Sequence, residues 1–78
     1  MSLTRSGLRR RTLTVSGHRT SVALEPVYWE ELAAVAQSRG LSLAALIGEI
    51  DAARPGSLAS ALRVYVVERL RAGGASTE

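Results

Sequence analysis

Seventy-eight residues without a single cysteine make one small domain that has neither a disulfide framework nor a thiolate metal site to hold it. A chain of this length buries only about 60% of its unfolded surface, so its own core is marginal and oligomerisation is the simple remedy. The net charge is +3, but residues 1–24 hold five Arg and no acid while residues 25–78 hold five Arg and seven acids, so the basic charge sits on the first third.

Every basic residue is Arg, whose planar fork suits bidentate phosphate contacts; a biased codon usage accounts for the preference equally well. Neither the apolar run of a signal peptide nor a span of roughly 18 apolar residues is present, so the expected location is the cytoplasm, without a membrane partner.

Residues 1–10 read as a basic flexible arm, densest in charge at Arg9, Arg10 and Arg11; such an arm can follow a polyanion or be a solvated tail. The domain proper is expected over residues 11–72. From Arg11 to Val15 polar Thr12 and Thr14 alternate with apolar Leu13 and Val15, and Ser16-Gly17-His18 supplies a turn, a pattern consistent with a hairpin. With either Ser16-Gly17 or Gly17-His18 as a two-residue loop, Leu13 and Val15 share a face with Val22 and Leu24.

The main strand is expected at about residues 18–25. A period of two sends Thr20, Val22 and Leu24 to one face and Arg19, Ser21 and Ala23 to the other. A lone two-stranded unit is scarcely stable in water. The strand therefore calls for burial by the same strand of a second copy, above a layer of helices.

Pro26 opens a helix expected at about 26–39, with Glu30 and Glu31 favouring its positive end and Gly40 its left-handed cap. Trp29, Leu32, Ala33 and Ala36 form its apolar stripe, flanked by Tyr28 and Val35. Ser42 caps a second helix at about 42–53, with Leu43, Leu46, Ile47 and Ile50 on one face. Arg54-Pro55-Gly56 breaks the chain, Ser57 is another cap, and Leu58, Ala61, Leu62, Tyr65, Val66 and Leu70 build a third helix at about 57–72. Gly73-Gly74 opens a disordered tail, residues 73–78.

Catalysis finds little support. His18 is the only His and Asp51 the only Asp, while Glu49 and Asp51 stand two apart on a helix and point in different directions. No Gly-rich phosphate loop follows a strand, and no cofactor or metal is implied. Trp29 and Tyr28 have the rings to stack on a base, but their spacing to Leu32 favours a place in the core.

A two-stranded ribbon fits a major groove about 12 Å wide and turns its outward side chains to base edges. Arg19 is then the candidate for a bidentate contact to guanine, Ser21 a less selective donor or acceptor, and Ala23 a contact to a thymine methyl. Ser42, with the N–H groups of Leu43 and Ala44, can clamp a phosphate as well as cap its helix, and Arg9, Arg10 and Arg11 can follow the backbone.

The strand Arg19-Thr20-Ser21-Val22-Ala23-Leu24, the helix after it, the Gly40-Leu41-Ser42 turn and the second helix resemble the ribbon-helix-helix fold of Arc/MetJ-type repressors. More narrowly, Gly17-His18-Arg19-Thr20-Ser21, Leu24-Glu25, Trp29, Gly40-Leu41-Ser42-Leu43, Leu46-Ile47, Glu49-Ile50-Asp51 and Ser57-Leu58-Ala59-Ser60-Ala61-Leu62-Arg63 resemble the ribbon-helix-helix domain family that carries a third C-terminal helix. The resemblance implies a mainly α fold with a short β-ribbon. It also implies an intertwined homodimer with antiparallel intersubunit strands, and a role as a transcriptional repressor on double-stranded DNA.

The dimer core expected on this basis is Val22, Leu24, Trp29, Leu32, Leu46, Ile47 and Ile50. Ala23 departs from the pattern, because a polar reader is common at its position. If Arg11–Val15 adds an outer strand to each side, four strands at about 4.8 Å spacing overfill the groove. The alternative is a dimeric protein-protein interaction module on the same scaffold, supported by the third helix and the short list of base readers.

Overall fold

The computed structural model describes residues 7–53 and 56–75. Its elements, in chain order, are β1 (Arg9–Val15), β2 (His18–Leu24), α1 (Pro26–Ser38), α2 (Leu43–Ala53) and α3 (Leu58–Ala75). The expected arm therefore ends sooner than residue 10, since Arg9 and Arg10 belong to β1. Its residues 1–6 lie outside the described ones, as do Arg54-Pro55 of the breaker and residues 76–78 of the tail. Gly73 and Gly74 continue α3: glycine costs a helix interior about 1 kcal/mol but does not stop it.

The two strands form an antiparallel hairpin with Val15 opposite His18, Leu13 opposite Thr20, Arg11 opposite Val22 and Arg9 opposite Leu24. Ser16 and Gly17 are the loop. Both have positive φ, 53° and 83°, as a type I′ turn requires, and this turn matches the natural twist of the strands it joins.

The pairing corrects one expectation. The main strand is buried within its own chain, because β1 covers one of its edges and the helices cover its apolar face. Val22 and Leu24 are 4% and 0% exposed with no second copy present. All seven residues expected to form a dimer core lie in this single-chain core, with Val15, Ala36, Ala61, Leu62 and Val66.

On α1 the buried residues are Trp29, Leu32 and Ala36, while Ala33 is exposed. At about 100° per residue the buried face centres on Leu32 and leans toward half-buried Tyr28 and Val35, which turns Ala33 outward. Glu30 and Glu31 also lie beyond the first turn, which has no acid. The residue at the cap is Glu25, and its carboxylate makes no cap bond; it accepts instead from Nε and Nη2 of Arg63 at 3.3 and 3.2 Å, tying the start of α1 to α3.

The end of α1 is a Schellman motif. Leu41 N–H donates to the Ala36 carbonyl at 2.8 Å and Gly40 N–H to that of Gln37 at 3.1 Å, with Gly40 at φ 71°. Beside it Arg39 grips Glu49 of α2 through Nη1 and Nη2, at 3.0 and 3.4 Å. That bond, and then the Tyr65 side chain, raise the pKa of Arg39 further above its ordinary value. Ser42 caps α2 by accepting the Ala45 N–H at 3.1 Å, and Ser57 caps α3 by accepting that of Ser60 at 3.3 Å.

The third helix outruns the core. Beyond Val66 none of its residues with a described side chain is buried, and Leu70, expected on the apolar face, is 54% exposed. With Val64 and Val67 it leaves apolar surface in water.

Gly48 brings α2 up to the hairpin turn, but a Cβ there would meet Ser16 Oγ at 3.8 Å and Val15 Cγ1 at 3.9 Å, ordinary contact distances. Gly48→Ala is therefore expected to stabilise the fold by about 0.5–1 kcal/mol through helix propensity. Urea unfolding would show a higher midpoint at unchanged slope; a lower midpoint would mean that the approach is tighter than these distances.

Candidate nucleic-acid interface

The register decides which side chains share the surface that faces away from the helices. With Val15, Leu13, Val22 and Leu24 turned inward, the outward set is Arg10, Thr12 and Thr14 of β1 beside Arg19, Ser21 and Ala23 of β2. The cross-strand pairs are Arg10–Ala23, Thr12–Ser21 and Thr14–Arg19. All are exposed except Ala23, which is half-buried, and residues 7–24 contain no acid. Thr12 Oγ1 and Ser21 Oγ are 2.9 Å apart and share a hydrogen bond.

The dense Arg9-Arg10-Arg11 run is split by the period of two. Arg10 joins Arg19 on the outer face. Arg9 and Arg11 belong to the helix-facing side, both exposed, and the Arg11 guanidinium lies 5.4 Å from the Trp29 ring centroid. Trp29 is 5% exposed and its Nε1 donates to the Arg9 carbonyl at 2.8 Å. The only Trp of the chain is thus a core residue that latches β1 to α1.

A two-residue loop is closed by a pair that exchanges both backbone bonds, here Val15 and His18. Alternation then gives Leu13–Thr20, Arg11–Val22 and Arg9–Leu24 the same bonding, and turns the N–H and C=O groups of Arg19, Ser21 and Ala23 to the free edge of β2.

Ser42, Leu43 and Ala44 stand at the start of α2, away from the outer face of the hairpin in sequence and in element. The Ser42 oxygen accepts from Ala45, which leaves its hydroxyl hydrogen to donate, and the first-turn N–H groups of Leu43 and Ala44 have no intrahelical acceptor. Among the described residues no three His, Cys, Asp or Glu are grouped to hold a metal ion, and no helix is long and apolar enough to cross a membrane.

A family model described as a ribbon-helix-helix domain matches residues 8–70, well over half of the chain. The chain belongs to the ribbon-helix-helix family. Members of this family are typically DNA-binding transcription regulators that dimerise, on a non-enzymatic DNA-binding fold. Neither a curated protein nor a solved structure matches the chain. The match runs from Leu8 to Leu70 and so takes in β1 as well as the ribbon strand, the first two helices and most of the third.

Thr12 and Thr14 are the outward residues that sequence reasoning did not bring to the interface; Arg10, expected there to follow phosphates, shares their face. The signal was available: either two-residue loop pairs an even-numbered residue of β1 with an odd-numbered residue of β2, which puts Thr12 and Thr14 beside Arg19 and Ser21.

Because the indole N–H ties α1 to the backbone of β1, Trp29→Phe is expected to cost about 1–2 kcal/mol. In hydrogen exchange the amides of Arg11 and Leu13 should lose more protection than those of Leu46 and Ile47 in α2. Uniform loss across both elements would mean that the bond holds the whole domain and not the strand.

Proposed function

We propose that this ribbon-helix-helix protein is a sequence-specific DNA-binding transcriptional repressor, acting in the cytoplasm as a homodimer with its β-ribbon in the major groove. The observation that carries the reading is the outer face of the hairpin, where guanidinium and hydroxyl groups stand on a rigid two-stranded ribbon with no acid among residues 7–24. Guanidinium presents paired donors that match the O6 and N7 acceptors of guanine, and hydroxyls donate or accept at either base edge.

In this reading Arg19 makes the bidentate contact, Ser21 the less selective one, and Ala23 meets a thymine methyl. The exposed Arg9 and Arg11 at the open end of the hairpin follow phosphates, as do Ser42 and the N–H groups of Leu43 and Ala44. The homodimer is supported by the habit of the family and by the large apolar side chains one chain leaves exposed, Leu8 at 61%, Val27 at 57%, Val64 at 38%, Val67 at 41% and Leu70 at 54%. Two copies related by a two-fold axis favour a palindromic site.

Selection from random duplexes, followed by titrations at several salt concentrations, tests the reading. Arg19→Ala is expected to reduce discrimination between selected and scrambled duplexes by about 1–3 kcal/mol, whereas Arg9→Ala weakens both alike and flattens the salt dependence. A chain that selects no sequence and binds without salt dependence refutes it. Light scattering at micromolar concentration should give the mass of two chains; the mass of one refutes the dimer.

A further inference from the structure

We infer that α3 is a second self-association surface: its outward stripe docks antiparallel on α3 of another copy, so that dimers formed elsewhere on the molecule join into tetramers. The inference stands apart from the DNA-binding reading.

Helical spacing makes the surface. At about 100° per residue Val64, Val67 and Arg71 lie within about 60° of one another around α3, with Glu68 on one flank and Leu70 on the other. Val64, Val67, Glu68 and Arg71 line a shallow groove with Arg63, and all four are exposed. Leu62 and Val66, on the other side of the helix, are 0% and 2% exposed and make its contact with the core. The stripe is the side of α3 turned away from that core.

Charge selects a second copy as the occupant. Arg63, at the edge of the groove, is already held by Glu25, which leaves one acid, Glu68, and one base, Arg71, beside the apolar side chains. A surface with one of each asks no net charge of its partner and can satisfy itself through a two-fold axis. With that axis at the level of Arg69 and the helices antiparallel, Val67 comes within one residue's rise of Leu70 of the second copy, and Glu68 within one residue's rise of its Arg71. The apolar pairs fall on one side of the seam and the ionic pairs on the other. Arg69 itself points away. A parallel pair would instead set the two Arg71 side chains against each other, a repulsive contact at the seam.

Size fixes the strength. Three apolar side chains on each copy, Val64, Val67 and Leu70, fall well short of the ~800 Å² per partner that a stable interface buries. The contact is therefore weak and concentration-dependent, and it joins dimers instead of forming them.

Sedimentation of the full chain over about a hundredfold range of concentration tests the inference. The mass is expected to double toward the concentrated end, and Val67→Glu, a change at an exposed position, is expected to abolish the doubling and keep the starting mass. Because the chain has no Cys, Leu70→Cys and Ser60→Cys each introduce a single thiol. A short bis-maleimide should join two Leu70→Cys chains in the concentrated sample and leave Ser60→Cys chains unjoined, since in the antiparallel pair the two residues at position 60 lie roughly 27 Å apart along the helices. A mass that never doubles, or that doubles equally in Val67→Glu, overturns the inference. So does equal joining of the Ser60→Cys chains, which reports a parallel pair. A Val67→Glu chain whose starting mass falls would make α3 the contact that forms the dimer, and the second surface would fall with it. Selection of a duplex tests the DNA-binding reading separately and is untouched by any of these results.

Discussion

The two-residue turn at Ser16–Gly17 sets the register of the hairpin, and the period of two then decides the face on which each strand side chain lies. A slip of one residue in either strand would carry Val15 or Val22 and Leu24 into water and push guanidinium groups toward an apolar helix layer. Burying an unpaired charge costs far more than a hydrophobic contact returns, so the alternative registers are strongly excluded. The composition of the outer face is thus a consequence of how the inner face packs.

Burial within one chain changes what a dimer has to accomplish. Sequence reasoning sought a second copy because one strand, unaided, cannot shelter Val22 and Leu24. β1 takes that place in cis, and Leu24, Leu32, Leu46, Ile47 and Leu62 are completely enclosed without a partner. Apart from Leu8 just ahead of β1, the large apolar side chains that stay exposed are on helices, Val27 near the start of α1 and Val64, Val67 and Leu70 on α3. Association driven by burial therefore has its largest contribution to gain there, while the free edge of β2 offers backbone hydrogen bonds.

Most of the fold was legible because its signals are local. Pro26, Gly40, Ser42 and Ser57 each have one stereochemical use at a helix end, and the structure shows it at each: Pro26 at N1, the Gly40 left-handed cap, and hydroxyl caps at the other two. The misplacements were tertiary. Ala33 and Leu70 belong to apolar stripes by spacing, but whether a stripe position is buried depends on where the neighbouring layer ends. The open question of the hairpin was likewise tertiary: alternation allowed β1, but the latch that fixes it joins Trp29 to the carbonyl of Arg9, twenty residues away. A contact to a backbone carbonyl leaves no mark on the residue that supplies it. The same blind spot hid Thr12 and Thr14, whose place on the interface follows from pairing and not from their own sequence context.

The charge segregation seen in the sequence acquires a mechanism in the fold. Glu25 is engaged by Arg63 and Glu49 by Arg39, so acids of the helical part are held by helical cations. Both pairs are partly exposed and contribute little to stability. Charges separated by more than about 10 Å are largely screened at ordinary salt, so what a polyanion meets at the hairpin is set by the residues of the hairpin itself. There the three consecutive arginines cannot act as one cluster, because strand geometry alternates them. Arg10 faces outward with Arg19, while Arg9 and Arg11 flank the helix side, and Arg11 also covers the indole that anchors the strand. One run of sequence thereby serves both attachment of the ribbon and the positive charge of its outer face.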